Sequence, residues 1–97
     1  MVSFEFSIIG NEFNAHDDNV DVEIKLDSGE MFYATFFTIA NIESLFKKNR
    51  DTGECKEGLY LWASDMILVE KLSESVIRNT IDDLIKAGEL EMACSKQ

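Results

Sequence analysis

Apolar and polar side chains alternate strictly in two stretches near the start of the chain. Within Val2–Ile9, Phe4, Phe6 and Ile8 are separated by Glu5 and Ser7; further on, Val20, Val22, Ile24 and Leu26 are separated by Asp21, Glu23 and Lys25. A period of two puts every second residue on the same face, so both stretches predict half-buried β-strands. The residues between them, GNEFNAHDDN at 10–19, are polar and read as a loop. Asp27-Ser28-Gly29 ends in a residue that tolerates positive φ, which predicts a tight hairpin into a third strand, Glu30–Phe37. That strand (EMFYATFF) is apolar on both faces, as suits a central strand or one with a face kept for a partner.

From Thr38 the period changes. Thr38 is a good N-cap, and Ile39, Ile42, Leu45 and Phe46 fall on one helical stripe, with Lys47 and Lys48 expected in the last turn. Residues 49–58 (NRDTGECKEG) predict a second polar loop, and 59–69 (LYLWASDMILV) a long strand with a bulge near Asp65. Ser73 predicts a second helix start, with Leu72 stapled onto Ile77. Val76, Ile77, Thr80, Ile81, Leu84 and Ile85 form its apolar stripe, and Gly88 its stop. Leu90, Met92 and Cys94 alternate with glutamates and suggest a short final strand. The expected order is β-β-β-α-β-α-β. This is a single α+β domain over residues 1–97, a mainly antiparallel sheet of four to five strands with two helices on one face.

Charge changes the picture. Nineteen acidic residues against nine basic ones give a formal net charge of −10 in 97 residues. Such a surface repels phosphate backbones and anionic lipid heads and steers basic proteins toward it. The expected partner is therefore a basic protein, with no nucleic acid and no membrane. No apolar run approaches the roughly 20 residues of a membrane span, and Met1–Glu5 lacks the basic start of a secretion signal. Cys55 and Cys94 share no close spacing, so free thiols and a cytoplasmic location are expected. The absence of proline removes proline-rich linkers.

Candidate chemistry is thin. His16, the single histidine, stands in a polar loop beside Asp17 and Asp18, where it reads as solvated surface. Cys55 lies among Glu54, Lys56 and Glu57, whose net charge opposes a thiolate, and Cys94 reads as packed. Asp17, Asn19 and Asp21 match the first positions of a calcium loop, but Val22 replaces the required Gly and Ser28 the bidentate Glu. One histidine and two distant cysteines do not make a zinc site, and no phosphate-cradling glycine motif is present. Residues 71–91 match a winged-helix recognition helix in outline. That helix carries Glu74, Asp82 and Asp83 against Arg78 and Lys86, which cannot supply phosphate contacts. The expectation is a protein without catalysis, cofactor or metal.

Two features read as recognition elements. The first is the acidic set Asp17, Asp18, Asp21, Glu23 and Asp27, with Asp51, Glu54 and Glu57 in the later loop. The second is aromatic density beside charge, notably Tyr60 and Trp62. The expected partner-binding residues are Asp17, Asp18, Asp21, Glu23, Asp51, Glu54, Glu57, Tyr60 and Trp62. Two-faced strands also allow homo-oligomerisation.

With the segments Tyr33-Ala34-Thr35-Phe36-Phe37-Thr38-Ile39-Ala40-Asn41-Ile42 and Gly58-Leu59-Tyr60-Leu61-Trp62-Ala63-Ser64-Asp65-Met66-Ile67, and the closing helix leaving through Gly88-Glu89-Leu90, the chain resembles the small acidic immunity proteins of bacterial contact-dependent inhibition and related polymorphic toxin systems. The resemblance covers about the last two-thirds of the chain and transfers no catalytic motif. It implies binding and neutralisation of a cognate, basic, nuclease-type toxin domain through an acidic surface. The same charge also suits an acidic regulatory module acting on another basic protein.

Overall fold

The computed structural model describes residues 3–10 and 12–97; Val2 of the first predicted strand and Asn11 of the loop lie outside them. The elements run β1 (Phe4–Ile9), β2 (Asn19–Leu26), β3 (Met31–Thr38), α1 (Ile39–Thr52), α2 (Glu54–Gly58), β4 (Met66–Val69), α3 (Glu74–Ala87), α4 (Leu90–Ala93) and β5 (Ser95–Lys96). The fold is α+β. β1, β2 and β3 form an antiparallel meander in which Phe6 faces Ile24 and Ile24 faces Phe32. The far edge of β3 is shared. Thr35–Thr38 pair with β4 in parallel, and Phe32 and Tyr33 pair with β5 antiparallel.

One face of this sheet carries the core. Val20, Val22 and Ile24 from β2 join Phe32, Ala34 and Phe36 from β3, and they meet Leu72, Ile77, Ile81, Leu90 and Cys94 from the α3–α4 side. Phe4, Phe6, Ile8, Ile67 and Val69 close the rim. Ser73 caps α3 through its hydroxyl, which accepts from the Val76 N–H, and Gly88 ends the helix in a left-handed conformation. Leu72 and Ile77 are both fully buried at that helix start.

Four expectations are corrected. The order gains α2 and α4, so it departs from β-β-β-α-β-α-β. Leu90–Ala93 is helical: Leu90 and Cys94 stand one turn apart and are buried, while Met92 between them is 77% exposed, which a strand buried on alternate residues does not allow. The strand expected over 59–69 shrinks to Met66–Val69, because β5 already occupies the other part of the β3 edge. Finally, α3 and α4 alone supply the helical part of the core cluster, and Phe37, buried on the opposite face of β3, lies outside it. Neither α1 nor α2 contributes a side chain to the core cluster.

Instead, α1, α2 and the irregular segment 59–65 form an arm between β3 and β4. The molecule is correspondingly elongated, 46 × 23 × 22 Å. α1 runs on to Thr52, so Arg50 rather than Lys47 and Lys48 lies in its last turn. At the tip, Cys55, Lys56 and Glu57 all have left-handed backbone, with φ of 50°, 52° and 58°. L-residues resist that conformation at about 1–2 kcal/mol each. Gly58 follows at φ +78°, where an added Cβ would stand 2.5 Å from Arg50 Cγ and 3.0 Å from the Phe46 carbonyl oxygen. The chain can therefore turn back against α1 only through a glycine.

Candidate protein-binding surface

The acidic residues of the first loop have structural duties at the base of the arm. Thr38 is fully buried, and its hydroxyl accepts from the N–H of Asn41, capping α1. The same hydroxyl accepts from the Asp18 N–H at 3.2 Å, while the Thr38 N–H donates to the Asp18 carbonyl at 3.0 Å. The Asp17 carboxylate accepts from the Asn41 side-chain amide at 3.1 Å and from the Ser44 hydroxyl at 2.9 Å. A carboxylate at a helix N-terminus also complements the helix dipole. Asp18 in turn accepts from the N–H groups of Asn14 and Asn19. Asn14, through its side-chain oxygen, holds the N–H groups of His16 and Asp17.

Asp21 and Glu23 stand on the outer face of the sheet, opposite the core. Asp21 accepts from the Thr35 hydroxyl at 2.8 Å and Glu23 from the Tyr33 hydroxyl at 3.0 Å. The bond to the Glu23 carboxylate raises the Tyr33 phenol above its ordinary value. Asp17 and Asn19 thus both turn to the Asn41 side chain, which donates to the first and accepts from the second, while Asp21 turns to the Thr35 hydroxyl. No group of three or more His, Cys, Asp or Glu side chains suited to a metal ion occurs among the described residues.

This outer face also bears Glu5 and Lys25, which face each other across β1 and β2, and the exposed Ile9 and Leu68. A shallow depression of about 270 Å³ opens between Ile9, Asp21, Tyr33, Thr35, Ser64 and Asp65. A second, of about 370 Å³, lies under the β1 edge between Phe6, Ile8, Phe13, Glu74 and Arg78. The Arg78 guanidinium sits 4.9 Å from the Phe6 ring centre there. A third, of about 520 Å³, lies beside the β2–β3 hairpin, lined by Ser3–Glu5 and Lys25–Gly29. His16, Cys55 and Cys94 line none of these. Burial, assisted by the charge of Asp65, pushes the Cys94 thiol up to about 11.

The remaining expected residues are elsewhere. Asp51 is near the end of α1, Glu54 and Glu57 are on α2, and Tyr60 and Trp62 follow it. Asp51 is seven residues beyond Ser44 on the same helix, so this group begins about 10 Å further along the arm than the Asp17 carboxylate's partner. The structure thus does not gather the nine residues into one patch. It separates four on the sheet and its loop from five on the arm.

Their charge environments differ too. In residues 39–62, Glu43, Asp51, Glu54 and Glu57 are matched by Lys47, Lys48, Arg50 and Lys56. With Asp65 the whole arm, residues 39–65, carries a net charge of −1, and −9 belongs to the remainder of the chain. Residues 1–38 hold Glu5, Glu12, Asp17, Asp18, Asp21, Glu23, Asp27 and Glu30 against Lys25 alone. Asp51, Glu54 and Glu57, expected as part of one acidic set, thus stand among nearby basic side chains. What distinguishes the arm is apolar exposure: Leu59 is 71% exposed, Tyr60 47% and Trp62 72%. Leu59 is not among the expected residues, because the sequence pattern puts it at the start of a long strand.

No helix among the described residues is long and apolar enough to cross a membrane. Comparison with known proteins returned no match, whether family model, curated protein or solved structure.

Proposed function

We propose that this chain is a binding protein of the immunity type, which captures a cognate basic toxin domain of the nuclease kind on its acidic body and performs no chemistry itself. The observation that carries this reading is the lopsided charge: eight carboxylates and one lysine in residues 1–38, all belonging to the sheet, its hairpin and the loop at its end. Carboxylates on a rigid sheet meet the Lys, Arg and His groups with which a nuclease holds phosphate. Steering raises the association rate by roughly 10–10³, and a few desolvated contacts set the residence time. Asp17 and Asp18 hold the base of the arm as well, so Asp21, Glu23 and Glu5 on the outer face of the sheet are the carboxylates offered to a partner, Asp21 and Glu23 sharing theirs with the Thr35 and Tyr33 hydroxyls.

The test is capture from the native host with the full chain as bait, followed by association kinetics across a salt series. A high-pI partner whose association rate falls steeply with salt supports the proposal, as does loss of capture in an Asp21→Asn/Glu23→Gln variant. An acidic partner or salt-independent association would sink it. Co-expression separates immunity from regulation: the chain should rescue growth of cells making the captured partner. A basic partner that is harmless when expressed alone points instead to a regulatory module.

A further inference from the structure

We infer that the arm is a self-association surface, on which two copies of this chain pair through Leu59, Tyr60 and Trp62.

Three observations lead there. First, these side chains lie within four residues and are exposed by 71%, 47% and 72%, an apolar area of the size that on a monomer often marks a functional surface. They supply roughly half of the ~800 Å² per partner of a standard interface.

Second, charge selects the occupant. Two copies that approach through their bodies bring together surfaces of one sign, and like charges oppose contact. The arm is the part of the molecule on which identical chains can meet with least of that cost, because its five acidic side chains are nearly balanced by four basic ones. A strongly basic partner, by contrast, gains little from a nearly neutral arm and far more from the body.

Third, the order of charges suits a two-fold pair. Along the arm an exposed Glu43 is followed by the exposed Lys47, Lys48 and Arg50, and these by the exposed Asp51, Glu54 and Glu57 with Lys56 among them. In an antiparallel arrangement about a two-fold axis the basic stretch of each arm lies against the acidic stretch of the other. Because the acidic body surface stays outside this contact, the dimer presents two copies of it.

Trp62 is the single tryptophan of the chain, so its fluorescence reports this contact directly. The experiment is sedimentation velocity on the full chain from micromolar to hundreds of micromolar, with emission spectra at each concentration. A concentration-dependent dimer with a blue-shifted Trp62 emission is expected. Leu59→Glu should weaken the dimer by about tenfold or more while the far-UV spectrum stays unchanged. Lys48→Glu should weaken it too, and Glu54→Lys in the same chain should restore it. A monomer throughout the range, or a dimer indifferent to Leu59→Glu, would overturn the inference. So would a Trp62 shift that appears only on adding a basic partner, since the arm would then belong to that complex. Any of these results leaves capture of a basic partner by the body standing on its own test.

Discussion

The sheet body and the arm are made of similar residues and solve opposite problems. In the body, Val22, Ile24, Phe36, Ile77 and Ile81 have no accessible surface, and the flanking helix α3 is capped at both ends. In α1 only Asn49 is buried, and in α2 nothing is. The body is stable because it hides its apolar groups from water. The arm keeps its shape through hydrogen bonds at its base and a glycine-limited turn at its tip, and it leaves Leu59 and Trp62 in solvent. Net charge divides along the same line, so attraction by charge and attraction by apolar contact occupy separate regions of one small molecule.

The largest effect that sharpens this contrast comes from the core. Ile81→Ala should destabilise the whole chain by about 2–5 kcal/mol, seen as a lower denaturant midpoint by every probe. Gly58→Ala comes next, at about 2 kcal/mol, because the new methyl meets Arg50 Cγ and the Phe46 carbonyl at a positive φ. Its loss should be local: faster amide exchange in α1 and α2 with the sheet protected. A global unfolding response would show that arm and body are one cooperative unit. Thr38→Ala removes the α1 cap and should cost about 1 kcal/mol, fraying the arm at its base. Trp62→Ala should change the midpoint by less than about 0.5 kcal/mol, as an exposed side chain does.

The smallest effect is a pH response at the end of the chain. Lys96 pairs with Glu30 at 2.6 Å, and Gln97 donates its N–H to the Met31 carbonyl. The Lys96 bond, with help from Ser28, holds the Glu30 carboxyl below its ordinary value. A depressed carboxyl stabilises above the ordinary carboxylate range, and that stabilisation is lost as pH falls below about 4. Protection of the Lys96 and Gln97 amides against exchange, taken relative to the intrinsic rate at each pH, should fall on acidification, and Glu30→Gln should remove that dependence while the core amides stay protected.

Strands β1, β2 and β3, the hairpin at Ser28–Gly29 and the caps at Thr38, Ser73 and Gly88 were legible in the sequence, because local period and local capping chemistry decide them. What failed depended on distant competition. Leu59–Val69 is rich in strand formers, yet its only available partner was half of one β3 edge, and the other half was taken by residues at the end of the chain. Leu90–Cys94 was read with a period of two although its buried pair is spaced by four. The left-handed tip has no signal in Cys55-Lys56-Glu57; only the bracketing Gly53 and Gly58 hint at it. Among the candidate residues, Asp17 was recognised as acidic, but its bonds to Asn41 and Ser44 span 24 and 27 positions. No local reading connects them.

The parallel pairing of β3 with β4 has a consequence for how such a chain can change over generations. Met66 enters the sheet beside Thr35, so the two ends of the segment 39–65 are fixed only about 10 Å apart by the ladder itself. Any excursion that starts and finishes at those two points leaves the ladder intact. Lineages can therefore lengthen, trim or rewrite the intervening residues while the scaffold beneath is inherited unchanged.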